Sequence, residues 1–99
     1  MSFQLKPGKV FLQQITTLNQ QEKDLIGEKL KRIKINPFRN KSLTVKGMTK
    51  VFEIKITLGG IYKRVIYTIE GNEIQIEGIL NRKNNFEDLV KIIYKNRQD

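Results

Sequence analysis

The sequence predicts an α+β fold in which an N-terminal helical hairpin and a C-terminal helix pack on an antiparallel β-meander sheet. Two observations support this prediction. Apolar residues recur at helical spacing between residues 11 and 33, alternate with polar residues between 50 and 80, and return to helical spacing from 86 onward. The chain has 99 residues, enough for one hydrophobic core, so we expect a single domain over residues 1–99.

The N-terminal residues predict a short strand and then a short helix. Phe3 and Leu5 lie on one side of an alternating piece over residues 2–5, which predicts a brief first strand. Pro7 then stands where the first turn of a helix tolerates proline. The apolar residues that follow are three or four positions apart and predict a first helix of about ten residues. They are Phe11, Ile15 and Leu18.

A second helix is predicted from its start and stop signals. Asn19, with Glu22 three positions later, has the side chains of a capping box, so the helix should begin there and run toward Lys34. Asn36-Pro37 stops it, because the residue before proline is pushed out of the helical region. Its apolar stripe is Ile26, Leu30 and Ile33, with Leu25 beside it. Its outer face is basic, which suits the negative helix C-terminus, and carries Lys29, Lys31, Arg32 and Lys34.

The middle of the chain predicts three strands, because its apolar period changes to about two residues from position 50. Residues 38–49 are predicted as a loop with one extended piece around Leu43 and Val45. The strands cover 50–58, 61–70 and 74–80, joined by turns at Gly59-Gly60 and Gly71-Asn72. Their buried sides should carry Phe52, Ile54, Ile56 and Leu58, then Val65, Tyr67 and Ile69, and then Ile74, Ile76 and Leu80.

The end of the third strand and the last helix complete the predicted fold. Strict alternation would place Arg82 on the same side as Leu80, so Gly78 is a candidate for a β-bulge that re-aims the strand end. The apolar residues beyond it follow helical spacing and predict a closing helix over part of the sheet. These residues are Phe86, Leu89, Val90, Ile93 and Tyr94.

Composition excludes several kinds of chemistry. The sequence contains no cysteine and no histidine, so thiolate nucleophiles, disulfides, thiolate zinc sites and histidine acid–base catalysis are all excluded. The acids are not spaced as magnesium ligands, so we expect no metal and no cofactor. The glycine pairs are hairpin turns, because neither opens a helix as a phosphate-binding loop does. Without an apolar run long enough for a membrane span or a signal peptide, we expect a cytoplasmic protein that does not enter a membrane.

Charge is concentrated in the first half of the chain. The net charge is +9, and residues 1–50 carry 11 Lys or Arg against 3 acids, whereas residues 51–99 carry 8 against 7. No acid occurs between Lys29 and Phe52. Such a field favours nucleic acid or a ribonucleoprotein as partner over a purely solubilising surface or an acidic protein partner, both of which stay open.

A cluster of polar side chains is predicted on one face of the sheet. Glu53 and Lys55 are two apart on one strand and therefore share a face. Arg64 lies on the neighbouring strand, and Arg82 ends the third. Arginine and lysine bind phosphate, so the cluster suits a phosphodiester, with Glu53 as a candidate general base for RNA cleavage. Ordinary cross-strand pairing of Glu53 and Lys55 is the alternative.

The tyrosines in the middle of the chain fit packing better than chemistry. Tyr62 and Tyr67 both lie in the second predicted strand of the meander. We expect them to be packing residues, although an exposed Tyr62 could stack on a nucleobase.

The order of these elements and several short motifs resemble the RelE/ParE toxins of bacterial and archaeal toxin–antitoxin systems. The resemblance extends from the helical hairpin to about Ile93. It rests on Asn36-Pro37 after the hairpin and on residues 43–47 (LTVKG), 51–56 (VFEIKI) and 62–67 (YKRVIY). The last of these looks like the family's Tyr-Arg-Val-Ile-Tyr strand with one residue inserted, and residues 82–86 look like its closing Arg-x-x-x-Tyr.

The resemblance implies a RelE/ParE-like fold and a toxin that a cognate antitoxin protein inhibits. In the RelE branch the activity is metal-independent cleavage of mRNA in the ribosomal A site. By position, Lys55, Arg64 and Arg82 look like the family's basic catalytic residues. Glu53 stands where RelE has lysine, and Phe86 stands where many active members have tyrosine.

Further RNA or ribosome contacts are predicted among the remaining basic residues, together with Phe86 as a base-stacking group. They are Arg39, Lys41, Lys46, Lys50 and Lys83. Two alternatives stay open: a ParE-like poison of DNA gyrase, and a catalytically weak homologue that only binds RNA.

Overall fold

The computed structural model of the chain describes residues 2–81, 83–84 and 86–98, with Phe86 described by its backbone only. Within these residues the chain forms three helices and a five-stranded mixed sheet. In chain order the elements are β1 (Gln4–Pro7), α1 (Lys9–Ile15), α2 (Gln20–Ile35), β2 (Lys41–Val45), β3 (Met48–Leu58), β4 (Ile61–Glu70), β5 (Glu73–Asn81) and α3 (Phe86–Arg97). The predicted α+β class is confirmed.

The sheet has the strand order β1-β5-β4-β3-β2. Its centre is the predicted antiparallel meander of β3, β4 and β5. An edge strand lies on each side of it: β1, predicted over residues 2–5 and found at Gln4–Pro7, pairs in parallel with β5, and β2 pairs antiparallel with β3. The extended piece predicted around Leu43 and Val45 is found as β2, which forms backbone hydrogen bonds with β3. The predicted loop is wrong in its extent, because β2 starts at Lys41 and β3 already starts at Met48.

The first helix begins later than the sequence predicted. Pro7 closes β1 instead of opening the helix, and α1 has only seven residues. The reason lies at Gly8, whose N–H donates to the carbonyl of Ile76 at 2.8 Å. A Cβ on Gly8 would come within 2.9 Å of that carbonyl oxygen and of Asn96. This close approach fixes where the chain leaves the sheet and turns into the helix.

The second helix has the predicted capping box. The Asn19 side chain accepts from the Glu22 N–H at 2.8 Å, and the Glu22 side chain accepts from the Asn19 N–H at 3.0 Å. The helix buries Ile26 and Ile33 against the sheet and ends before Pro37, as predicted.

The two faces of the sheet carry separate hydrophobic clusters. Helices α1 and α2 cover the first face, whose buried residues are Phe11, Ile26, Ile33, Phe52, Ile54, Ile56, Leu58, Val65, Tyr67, Ile69, Ile74 and Ile76. Helix α3 covers part of the second face, whose buried residues are Val45, Val51, Ile66, Leu80, Leu89 and Ile93. No helix in the described part of the chain is both long enough and apolar enough to cross a membrane.

A β-bulge in β5 moves Leu80 to the face opposite the one predicted. Ile66 is opposite Gly78 and the next residue, Tyr67, is opposite Ile76, so Glu77 is an extra residue in β5. One extra residue reverses the alternation of side chains beyond it. Leu80 therefore packs in the α3 cluster rather than with Ile76. The bulge predicted at Gly78 is confirmed, and the buried side assigned to Leu80 is wrong for this reason.

The extra residue Glu77 is fully buried, and its carboxylate binds residues at the end of α3. Its carboxylate accepts hydrogen bonds from the Thr68 hydroxyl at 2.5 Å and from Arg97 at 2.7 Å. Asn96 donates to the same carboxylate at 2.9 Å and accepts from the N–H of Val10 at 2.9 Å. The hydrogen bond to Glu77 raises the pKa of Arg97, although burial opposes the shift. A buried carboxylate with this many donors is satisfied, so we assign it a structural role.

Candidate functional site

Three residues of the predicted polar cluster, Glu53, Lys55 and Arg64, lie together on the face of the sheet that α3 partly covers. Lys55 of β3 lies directly opposite Arg64 of β4, and Lys41 of β2 lies opposite Glu53 of β3. The Arg64 guanidinium donates from Nη1 to Glu53 Oε2 at 3.2 Å. The Lys41 ammonium is 3.7 Å from the other carboxylate oxygen. Glu53 is only 4% exposed, so a buried carboxylate holds one cation on each side.

Arg64 is held from a second direction by the turn that follows β5. Its Nη2 donates to the carbonyl of Asn84 at 3.2 Å and to the carbonyl of Asn81 at 3.4 Å. The Arg64 Nε is buried and has no hydrogen-bond partner among the described residues. The guanidinium is therefore fixed in place, with 22% of the side chain exposed.

The turn that anchors Arg64 depends on Asn84, which was not among the predicted site residues. The Asn81 N–H donates to Asn84 Oδ1 at 2.7 Å, and Asn84 Nδ2 donates to Asp88 at the start of α3 at 3.1 Å. Asparagine side chains commonly bond backbone groups in turns. The density of asparagines over residues 81–85 was the available signal.

A basic groove lies beside the cluster, between the C-terminal half of α2 and the edge of β3. It has a volume of about 700 Å³ and is lined by Lys29, Arg32, Ile35, Asn36, Arg39, Asn40, Lys41, Glu53, Ile54 and Lys55. The groove exists because β2 begins opposite Glu53. Residues 54–58 of β3 therefore have no neighbouring strand on that side within the described sheet.

The groove has a strong excess of positive charge. Five of the residues that line it are cationic, and the one acid, Glu53, is already paired with Lys41 and Arg64. The other four cations, Lys29, Arg32, Arg39 and Lys55, form no ion pair with the described acids. Like charges that converge without a counter-ion raise the local concentration of anions, so the groove suits an anionic ligand.

The loop that carries part of the groove is tied to the core through Tyr67. The Tyr67 hydroxyl donates to the Pro37 carbonyl at 2.6 Å and accepts from Asn40 Nδ2 at 3.0 Å. Burial raises the pKa of Tyr67, while the hydrogen bond from Asn40 opposes the shift. The ring stacks on Phe52 with the ring centroids 5.6 Å apart. The predicted packing role of Tyr67 is thus extended by a polar one, which fixes the loop between α2 and β2.

Tyr62 lies on the same face as Arg64, two residues away on β4. The Lys55 ammonium is 5.9 Å from the centroid of its ring, which is within range of a cation–π contact. The side chain is 39% exposed. An exposed aromatic ring therefore stands beside the cations of the cluster.

The structure brings some of the sequence-predicted site residues together and separates others. Glu53, Lys55, Arg64, Lys41 and Arg39 meet at the cluster or the groove. The remaining predicted basic residues that the structure describes do not join them. Lys46 follows the far end of β2, which is about 13 Å along the strand from Lys41. Lys50 lies at the β2–β3 bulge, and Lys83 is exposed after β5.

Arg82 and the side chain of Phe86 lie outside the described residues. Lys29 and Arg32 line the groove, although the sequence predicted them only on a basic outer helix face. Their common orientation depends on how α2 docks on the sheet.

This architecture, a mixed five-stranded sheet with two helices on one face and one on the other, defines a class of small α+β proteins to which the RelE toxin fold belongs. No protein-family model matches the sequence, and no curated protein matches it. Solved structures do match.

A structure of the E. coli toxin RelE in the free state, with two arginines replaced by alanine, superposes with a TM-score of 0.72 at 15% identity, covering 96% of this chain and 98% of that chain. A crystal structure of the isolated E. coli RelE toxin gives 0.61 at 18% identity, covering 94% and 99%. The chain has the RelE fold, as the sequence motifs predicted.

Proposed function

We propose that the chain is the toxin of a type II toxin–antitoxin system and acts as a metal-independent endoribonuclease on mRNA in the ribosomal A site. The observation that carries the proposal is the fixed guanidinium of Arg64 opposite Lys55, beside a groove whose one acid is already paired. The RelE fold supports the same proposal. A cognate antitoxin, the ribosome and mRNA are the partners it implies, and the site of action is then the cytoplasm.

The reaction is an internal transesterification. The 2′-oxygen of one nucleotide attacks the adjacent phosphorus while the bond to the 5′-oxygen of the next nucleotide breaks. The 2′-hydroxyl proton leaves to a base, and the 5′-oxygen gains a proton. The products are a 2′,3′-cyclic phosphate and a free 5′-hydroxyl. Negative charge accumulates on the phosphorane oxygens, so cations fixed near them lower the barrier.

Lys55 and Arg64 are the residues we assign to the phosphate. Arg64 is held by three hydrogen bonds in the ground state, so its orientation does not need to be fixed when the substrate binds. Lys55 is exposed and free of ion pairs with the described acids. Arg82 is proposed as the third cation on the basis of the sequence resemblance alone.

Glu53 is better suited to positioning Arg64 than to removing the 2′-proton. Its two carboxylate oxygens face Arg64 and Lys41, and the side chain is almost fully buried. Direct contact with a 2′-hydroxyl would require one of these cations to move. The general-base role predicted for Glu53 is therefore kept as the second hypothesis for this residue.

The remaining predicted RNA-binding residues belong to a wider surface. Arg39 and Lys41 lie at the groove, next to the cluster. We propose Lys46, Lys50 and Lys83 as contacts to ribosomal RNA outside the reacting strand, because phosphate contacts position a protein without reading sequence. Phe86 is proposed to stack on a nucleobase.

The test is to map transcript ends after brief induction of the protein in growing cells. We expect new 5′-hydroxyl ends within translated codons, and the Arg64→Ala protein should lose them. Lys91→Ala, which removes an exposed cation on α3, should cut as the parent does. Intact ribosome-bound transcripts together with undiminished toxicity of Arg64→Ala would overturn the proposal. Trapped, cleaved DNA with intact mRNA would indicate a gyrase poison instead.

A further inference from the structure

The cations in the C-terminal half of α2 divide into two groups around the helix. Lys29 and Arg32 are three residues apart, so they share one side of the helix, and both line the groove together with the C-cap residue Asn36. Lys31 and Lys34 point about 140° to 200° away from Lys29 at ~100° per residue, and neither lines the groove. The helix dipole favours cations in the last turn only. Lys29 is nearly two turns from the helix end at Ile35, so the dipole does not account for it.

The groove has two cationic walls. Lys29 and Arg32 of α2 form one wall, while Lys41 and Lys55 of the sheet form the other. Its volume of about 700 Å³ exceeds what a single phosphate ion needs and fits a segment of chain. Charged groups on both sides of an open channel suit a ligand that carries charge along its length.

The groove is continuous with the cluster that holds Arg64. Lys55 lines the groove and also lies directly opposite Arg64 on the neighbouring strand. A strand whose phosphate rests on Arg64 and Lys55 can therefore continue around the open edge of β3 into the groove. We propose that Lys29 and Arg32 bind the sugar–phosphate backbone of single-stranded RNA next to the phosphate held at Arg64. The inference rests on the proposed function for the identity of the strand.

An RNA backbone fits this groove better than an acidic protein segment. A peptide that binds at a sheet edge gains affinity from main-chain hydrogen bonds and from pockets for alternate side chains. Here the apolar lining is limited to Ile35 and Ile54, and Ile54 is already packed in the core. Five cations, by contrast, offer repeated contacts to phosphates.

The test compares two double variants with equal charge change on the same helix. Lys29→Gln with Arg32→Gln removes the groove wall, and Lys31→Gln with Lys34→Gln removes two cations outside the groove. The probe is a fluorescent single-stranded 12-mer of 2′-O-methyl RNA, which cannot undergo transesterification, so binding is measured apart from cleavage. Thermal unfolding of both variants checks that they are folded.

We expect the groove variant to bind at least ten times more weakly than the control variant. Each lost phosphate contact lowers the slope of log affinity against log salt by about 0.7 for single strands, so the groove variant should lose about 1.4 and the control almost none. Equal losses in the two variants, or no loss in either, would overturn the proposal. Poly-glutamate of matched charge that binds as tightly as the RNA and depends on the same residues would overturn it in favour of a protein occupant.

The experiments distinguish failure of the groove proposal from failure of the proposed nuclease function. If the groove variant loses RNA binding but induced cells show no transcript cleavage, the groove is supported and the nuclease function fails. If transcripts are cleaved and the groove variant binds and cuts like its control, the nuclease stands and the groove proposal is overturned.

Discussion

Arg64 donates from Nη1 to Glu53 Oε2 at 3.2 Å, diagonally across the β3–β4 pair, while a second nitrogen of the same guanidinium bonds the Asn84 carbonyl. The buried carboxylate and the turn after β5 thus fix one cation between them.

Glu53→Gln separates the two roles open to the carboxylate, because the amide keeps an acceptor for Arg64 but cannot take a proton. Positioning predicts a loss of cleavage rate of about tenfold or less, whereas a general base predicts about 10²–10⁴-fold.

The pH dependence of single-turnover cleavage gives a second readout on Glu53. If Glu53 only positions Arg64, Glu53→Gln should leave the shape of the pH–rate profile unchanged. If Glu53 is the general base, Glu53→Gln should remove the fall in rate at acidic pH. Loss of that fall would contradict the positioning role.

Replacement of Arg64 by lysine tests whether cleavage needs the planar guanidinium held in one orientation. Lysine supplies a point charge and cannot reach Glu53 and the two carbonyls at once. We expect Arg64→Lys to lose about 10²-fold or more in cleavage rate, close to the effect of removing one preorganised charge-stabilising donor. Lys63→Ala is the control, because it changes a charge on β4 whose side chain points to the other face. Wild-type rates for Arg64→Lys would show that charge alone suffices.

Tyr62 offers a flat exposed ring beside the Lys55 ammonium, on the face that carries Arg64. Stacking of a nucleobase on an aromatic side chain is worth about 1–3 kcal/mol. We expect Tyr62→Ala to weaken binding of 2′-O-methyl RNA by an amount in that range and Tyr62→Phe to bind as the parent does. Equal losses in both variants would indicate that the hydroxyl, rather than the ring, makes the contact.

The strands and helices of this fold could be predicted because their signals are local. The capping box at Asn19 and the alternation of β3 and β4 both lie within a few residues of sequence, and both are found in the structure. The pairing partners of the edge strands could not be predicted in the same way. The partner of β1 is β5, more than 60 residues away, and no local pattern specifies a pairing at that distance.

The site residues that lie on neighbouring strands could be predicted from the sequence. The residues that join the site through the packing of different elements could not. Glu53, Lys55 and Arg64 share a face because of strand alternation alone, so the sequence was enough to group them. Lys29 and Arg32 join the site only through the docking of α2 on β3, which depends on the whole core. The carbonyl groups that accept hydrogen bonds from Arg64 belong to the backbone, so no residue type in the sequence indicates them.

Lys50 has a left-handed backbone conformation, with φ at +56°. It lies in the β2–β3 bulge, where β3 has two residues opposite one in β2. A residue with a Cβ loses about 1–2 kcal/mol in this conformation, whereas glycine does not. We expect Lys50→Gly to exceed Lys50→Ala in unfolding free energy by about 1 kcal/mol in urea titrations.

The same Lys50 pair also tests the charge at this position. Both variants remove it, so any loss of ribosome binding should be equal between them. A difference in ribosome binding would show that the bulge conformation, rather than the charge, makes the contact.

Tyr67 links the core to the groove, and its loss should affect stability and pH dependence together. Tyr67→Phe leaves the Pro37 carbonyl and the Asn40 amide without their partner, which costs about 1–3 kcal/mol when such groups stay buried. Burial raises the pKa of the folded-state phenol above the ordinary value, so the folded state holds its proton at pH values where the unfolded chain has lost it. The stability advantage of the parent over the Tyr67→Phe variant is therefore complete below about pH 10 and is lost as pH rises through the folded-state pKa.

Urea unfolding of the parent and of Tyr67→Phe between about pH 7 and 11 brackets the ordinary phenol pKa and measures this difference. Tyr94→Phe serves as the matched control, since Tyr94 is exposed on α3, and it should change neither the stability nor its pH dependence. Tyr67→Phe should also weaken RNA binding, because the loop that Pro37 and Asn40 belong to forms part of the groove. A constant stability difference across the whole pH range would mean that the hydroxyl is not the group that titrates, and unchanged RNA affinity would mean that the loop keeps its position without this hydrogen bond.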